Sequence, residues 1–141
     1  LRETQEEIGV LADSVEVSGA MDDVFSVTSY VVTPVVGLLQ SPPSDFQKQE
    51  FEIHRVFEVP LDYLLEPTNF RVERWHWGRA PKGTPIDVLK KTRMPHLGWD
   101  PTDSDYPMFF FDTPGGEVWG LSAIFLRQFL TEVFGFKGQD S

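Results

Sequence analysis

The chain has 141 residues, 40% of them hydrophobic and 13% aromatic, enough for one domain with a core of its own. Its 22 acidic residues against 12 Lys and Arg leave a net charge of −10, which opposes broad nucleic-acid binding and repels polyphosphates unless cations intervene. The absence of cysteine excludes disulfides and thiolate ligands, and no apolar run approaches the roughly eighteen residues of a membrane helix.

The first predicted element is a helix over Leu1–Val10. At about 100° per residue, Arg2, Glu3, Glu6 and Glu7 fall within one arc, while Leu1, Thr4, Gln5 and Ile8 fall on the other side, so one face is expected to pack and the other to carry charge. Leu1 is read as already inside the helix, and Gly9 as its C-terminal stop. Glu3 lies at i,i+3 and i,i+4 from Glu6 and Glu7, where like charges repel. A divalent cation turns that repulsion into binding, and carboxylates suit hard ions such as Mg²⁺ or Mn²⁺. At ordinary residue frequencies, Arg2, Glu3, Glu6, Glu7 and Gly9 would coincide by chance in about one such chain in 10⁴, which weighs against an ordinary acidic surface helix.

Leu11–Met21 reads as a loop entering a strand. The valine-rich run from Tyr30 to Leu39 reads as a buried strand, with Pro34 at an edge or bulge, and Ser41–Asp45 as a turn-rich loop. Alternation from Phe51 to Val59 predicts another strand, followed by a short helix at Pro60–Leu65 with proline in its first turn. Arg71–Trp77 is a further candidate strand. The stretch to about Asp105 carries Pro81, Gly83, Pro85, Pro95, Gly98 and Pro101, loop chemistry of a length that is usually functional or disordered. Seven of the twelve Lys and Arg residues lie between 71 and 93, against Glu73 and Asp87 alone, so this reads as a basic, anion-binding insertion over about 71–105. A strand at Met108–Asp112, a turn at Thr113–Gly116 and a returning strand at Glu117–Trp119 follow. Apolar residues at 121, 124, 125, 129 and 133 predict a helix over Leu121–Phe134, ended by Gly135. Strands flanked by helices, one of which carries an acidic face, amount to a single-domain α/β sandwich.

Arg2 to Val10 resembles the second half of the signature of the Nudix hydrolases, Arg-Glu-U-x-Glu-Glu-x-Gly-U with U bulky or aliphatic, Thr4 being a mild departure. Val31–Gly37, Val56–Leu61 with Leu64, Leu65 and Pro67, and Val118–Ala123 resemble the coenzyme A diphosphatase branch of that family. The family's motif begins earlier, with a glycine and a further glutamate that this chain does not contain, and the expectation is of a domain truncated within the motif. The resemblance implies an α/β/α sandwich with a mixed sheet, incomplete at its start. It also implies hydrolysis of the diphosphate of CoA or acyl-CoA to 3′,5′-ADP and 4′-phosphopantetheine with Mg²⁺ or Mn²⁺, and a peroxisomal or mitochondrial setting. A Nudix enzyme for ADP-ribose, dinucleotides or oxidised nucleotides would keep the glutamates and change the loops, and a non-catalytic binding module would keep only the fold.

Glu3 and Glu7 are the expected metal ligands, and Glu6 is either a third ligand or the base that takes a proton from the attacking water. Arg2 orients a neighbouring glutamate or touches the substrate. The family often supplies an extra carboxylate from a later strand or loop, for which Glu52 is the candidate. His54, His76 and His96 share no metal-like spacing, and Asp22–Asp23 suits a turn. Arg74, Arg79 and Trp75, where cations and aromatic rings interleave, are the candidates for holding an adenine and a 3′-phosphate.

Overall fold

A computed structural model of the chain describes residues 1–25, 30–43, 45–76 and 105–138. They are divided between two compact units, Leu1–Met21 with Val35–Glu58, and Asp22–Pro34 with Val59–Ser141.

In the first unit, helix α1 spans Arg2–Ile8 and stops at Gly9, whose φ of 75° lies in the left-handed region that glycine enters at no steric cost. The Gly9 N–H closes the last turn on the Gln5 carbonyl at 3.0 Å. Leu1 is the N-cap rather than a helical residue, and the expected packing face is not buried: Leu1 is 53% exposed, while Thr4 and Ile8 are half-buried. A single 3₁₀ turn at Ala12–Ser14 leads into β1 (Val15–Ala20).

The valine-rich run is not one buried strand. It divides into β3 (Val31–Val32) and β4 (Val35–Leu39), because Pro34 has no N–H to continue a ladder. β4 pairs antiparallel with β1, from Val15 opposite Leu39 to Ala20 opposite Val35, with a bulge between Val17 and Gly19. Val35 is 60% exposed, since two strands alone cover neither face of the ribbon. β3 pairs in the second unit with β2 (Val24–Phe25).

Residues 51–59 form no strand either. The N–H groups of Glu52 and Ile53 turn back to the Gln49 carbonyl at 3.0 and 2.8 Å, and Phe51 is fully exposed. Alternation describes a half-buried strand only where a neighbouring strand exists to pair with it.

The second unit holds the core. Helix α2 (Leu61–Leu65) follows Pro60 and buries Leu64. A three-stranded antiparallel sheet is ordered β5 (Phe70–His76), β6 (Asp105–Thr113), β7 (Gly116–Trp119). The register puts Phe70 opposite Phe111 and Val72 opposite Phe109, so these side chains share one face. Pro107 is accommodated in β6 because at that position the strand has only β5 as a neighbour.

Helix α3 (Gly120–Phe134) contributes Ala123, Ile124 and Leu130 to the same core. Gly135, at φ 69°, reverses the chain so that Phe136 N–H reaches the Leu130 carbonyl at 3.2 Å. The Phe136 ring thereby lies edge-on to Phe70, 5.6 Å between centroids, and 6.2 Å from Phe111. Phe70 and Phe111 are themselves 4.9 Å apart, and the group forms an aromatic centre of the kind that dominates core energetics. The expected α/β class is borne out, and every described strand pairing is antiparallel.

Candidate active site

Helix periodicity sets the four charged residues of α1 on one arc, and Arg2 ties Glu3 and Glu6 together. Its guanidinium donates to both Glu6 carboxylate oxygens at 3.1 and 3.3 Å and to Glu3 in a closer contact. The planar fork of N–H groups on a guanidinium suits it to hold two carboxylates in a fixed geometry. Glu3 and Glu6 side chains are 62% and 55% exposed, so the pairs are screened and orient more than they stabilise.

Glu7 lies at the other end of the arc and is half-buried. Its backbone carbonyl is among the last four of the helix, which have no partner within it, and it accepts the Gln49 N–H at 2.7 Å. That bond joins the Gln49–Ile53 turn, and with it the exposed Glu52, to the end of α1. Glu52 is therefore presented from a loop rather than from the start of a strand. Nothing in the sequence pattern marked Gln49 as the residue that makes the connection.

Three carboxylates on one exposed arc fit a hard divalent cation in donor chemistry. Glu6 and Glu7 also lie toward the negative end of the helix, where a cation is favoured. Among the described residues no three His, Asp or Glu side chains converge into a ready-made cage. Two of the arc's carboxylates are engaged by Arg2 instead.

The remaining candidates are more scattered. Arg74 is exposed on β5 opposite Pro107, and Trp75 occupies the next position, paired through its backbone with Tyr106. Arg79 and His96 lie outside the described residues, as does all of 77–104. The flanks of that basic stretch pair residue for residue, His76 with Asp105 and Trp75 with Tyr106. Asp23 accepts from Thr33 Oγ1 at 2.5 Å, in keeping with a turn role. His54 is exposed, and its carbonyl accepts from Lys48 Nζ at 2.9 Å.

Arg71, counted in the sequence only as part of the basic stretch, is committed to the sheet. It donates to Asp112 at 2.8 Å, to Glu117 at 2.5 Å and to Glu73 at 3.4 Å, and lies 4.3 Å above the Phe110 ring. The hydrogen bond to Glu117 is the main cause of a guanidinium pKa raised above its ordinary value, with Asp112 adding to it. On the core side, burial pulls the Arg127 guanidinium below its ordinary value, 4.6 Å over the Phe109 ring. Among the described residues no helix is long and apolar enough to cross a membrane.

No family model matches the chain. It is nevertheless similar to bacterial proteins that carry the name Uncharacterized Nudix hydrolase NudL. The Citrobacter koseri protein is 33% identical over 136 residues, which is 94% of this chain and 56% of that protein. Those of Salmonella paratyphi B and Salmonella newport are 34% identical over 134 residues, with the same shares covered. The chain thus spans little more than half the length of the curated relatives it matches. Being bacterial, they lend no support to a peroxisomal or mitochondrial setting. What their likeness over nearly all of this chain does support, together with the Arg2–Gly9 helix and the α/β architecture, is placement in the Nudix superfamily.

Proposed function

We propose that the chain is the hydrolytic part of a Nudix enzyme, one that cleaves the diphosphate of coenzyme A or an acyl-CoA with the help of Mg²⁺ or Mn²⁺. The observation that carries the hydrolase reading is α1 itself, where Arg2 spans Glu3 and Glu6 and Gly9 ends the helix one residue beyond Ile8. The CoA assignment rests on the downstream resemblance of Val31–Gly37, Val56–Leu61 and Val118–Ala123, since the relatives' names state no substrate.

Glu3 and Glu7 hold the cation, Glu6 completes the ligand set or accepts the proton of the attacking water, and Glu52 approaches from the loop bonded to Glu7's carbonyl. A bound Mg²⁺ or Mn²⁺ supplies charge neutralisation at phosphoryl oxygens and a lowered pKa for a coordinated water. Arg2 fixes the orientation of Glu3 and Glu6, so that the carboxylates need not reorganise as charge develops on the phosphate. Arg74 and Arg79 are assigned to the 3′-phosphate and Trp75 to the adenine. The whole is a single Nudix domain with a basic insertion.

The test is a substrate panel of CoA, dephospho-CoA, ADP-ribose, dinucleotides and oxidised nucleotides, with Mg²⁺ titrated. Release of 3′,5′-ADP and 4′-phosphopantetheine from CoA, dependent on the metal, is the expected result. Preference for another member of the panel refutes the CoA assignment alone. Cation binding without any hydrolysis favours a binding module.

A further inference from the structure

Gln128 is the one buried polar side chain among the described residues, 2% exposed. It lies one turn beyond Ile124 and two beyond Leu121, on the stripe of α3 that faces the core, where helix periodicity favours an apolar residue. Its amide is only half provided for. Nε2 donates to Glu132 Oε1 at 3.1 Å and reaches the Asp22 carbonyl at 3.5 Å, the outer limit of a hydrogen bond. Oε1 is buried and accepts no hydrogen bond. Turning the amide over gives no remedy, because Oε1 would then face the carbonyl and carboxylate oxygens that Nε2 now faces, which accept and do not donate.

A carbonyl oxygen withdrawn from solvent without a donor is destabilising. Protein interiors offset this with buried waters, about one per 27 residues, bonded to polar groups that the fold leaves unsatisfied. The Asp22 carbonyl is a second group of this kind, since its contact with Nε2 is long and a carbonyl has a second lone pair. Oε1 and Nε2 share one carbon, which keeps Oε1 and the Asp22 oxygen within the span of a single water. Just beyond Asp22, β2 and β3 pair over two positions, Val24 with Val32 and Phe25 with Val31, and Asp23 accepts from Thr33 Oγ1. So short a hairpin is marginal by itself, and its wholly buried Val24 belongs to the same core cluster as Ile124.

We propose that an internal water binds between α3 and the start of β2, donating one hydrogen to Gln128 Oε1 and the other to the Asp22 carbonyl. The amide hydrogens of Nε2, directed at the same carbonyl, oppose a metal cation there and leave water as the ligand. This water joins the Asp22–Pro34 hairpin to α3 and accounts for a glutamine at a core position of the helix. The site is independent of the reading of α1.

The experiment uses the ¹³C,¹⁵N-labelled 141-residue chain. Water-selective rotating-frame NOE spectra, in which direct contact and hydrogen exchange have opposite signs, are combined with ¹⁷O relaxation dispersion, which counts long-lived waters. In the unaltered chain the non-exchanging Hγ protons of Gln128 should show direct contact with water. In Gln128→Met, which keeps the length and removes the amide, the dispersion amplitude should fall by the equivalent of a single water, and the amides of β2 and β3 should exchange severalfold faster. Absence of the contact at Gln128 Hγ in the unaltered chain overturns the proposal, a result that stands even where Gln128→Met fails to fold. A dispersion amplitude unchanged in folded Gln128→Met overturns it as well. Loss of the water with unchanged exchange in β2 and β3 overturns its role as a joint.

Discussion

At the scale of single residues, the charged side chains differ in what each is committed to. Glu7 is the half-buried member of the acidic arc and is expected to ligate the cation directly. Glu7→Gln, which keeps size and removes charge, should lower metal-dependent turnover by roughly a hundredfold or more, the scale of losing one preorganised electrostatic contact. Arg2→Lys tests a different property, since a compact ammonium cannot bridge Glu3 and Glu6 as the guanidinium does. We expect a fall of about tenfold to a hundredfold in kcat with little change in KM, the usual effect of disturbing a residue that orients ligands. Steady-state kinetics on both variants separates the two roles. Arg71 belongs to the fold instead. Replacing it with Met should cost about 1 kcal/mol in urea unfolding, the sum of a ring contact and partly exposed ion pairs, and the cost should shrink as salt is raised.

At the scale of elements, legibility followed the kind of interaction that forms each one. α1 and α3 were readable because a helix satisfies its own backbone, so periodicity and a closing glycine at 9 and 135 suffice to place it. The β6–β7 hairpin was readable for a similar reason, its partner lying next to it in sequence. Residues 51–59 carry the same alternation as a strand and yet form none, because no property of those residues reports whether a partner strand lies beside them. The run from Tyr30 to Leu39 is more exposed than its composition implies for the same cause: valine content favours a sheet but does not supply the second layer that would cover it. The acidic arc was legible to the residue. The approach of Gln47 and Gln49 to Gly9 and Glu7 was not, since it joins positions about forty residues apart through backbone groups that every residue possesses. The elements of the second unit should also differ in energetic weight. Phe111→Ala removes a fully buried ring in contact with Phe70 and Phe136 and should cost about 3–5 kcal/mol in equilibrium unfolding.

At the scale of the whole molecule, burial is distributed unevenly. Among the described residues the buried hydrophobics cluster in the second unit, whereas Val10 is the one buried hydrophobic of the first. Amide exchange should therefore be slowest in β5, β6 and α3 and much faster in α1 and the β1–β4 ribbon, because local opening follows local burial. Equal protection of the two sets would contradict this distribution. Under the proposed function, the basic stretch that begins within β5 is assigned to substrate recognition. Neutralising Arg74 and Arg79 together should weaken CoA turnover several-fold more than that of dephospho-CoA, and equal effects on both would exclude 3′-phosphate recognition.

The central claim, that the acidic arc of α1 holds the cation on which cleavage of CoA depends, is tested most directly by one comparison. Release of 3′,5′-ADP from CoA is measured across a Mg²⁺ titration for the unaltered protein and for Glu7→Gln. The account predicts metal-dependent release in the first and its near-complete loss in the second. Unchanged turnover by Glu7→Gln at saturating Mg²⁺ would contradict it.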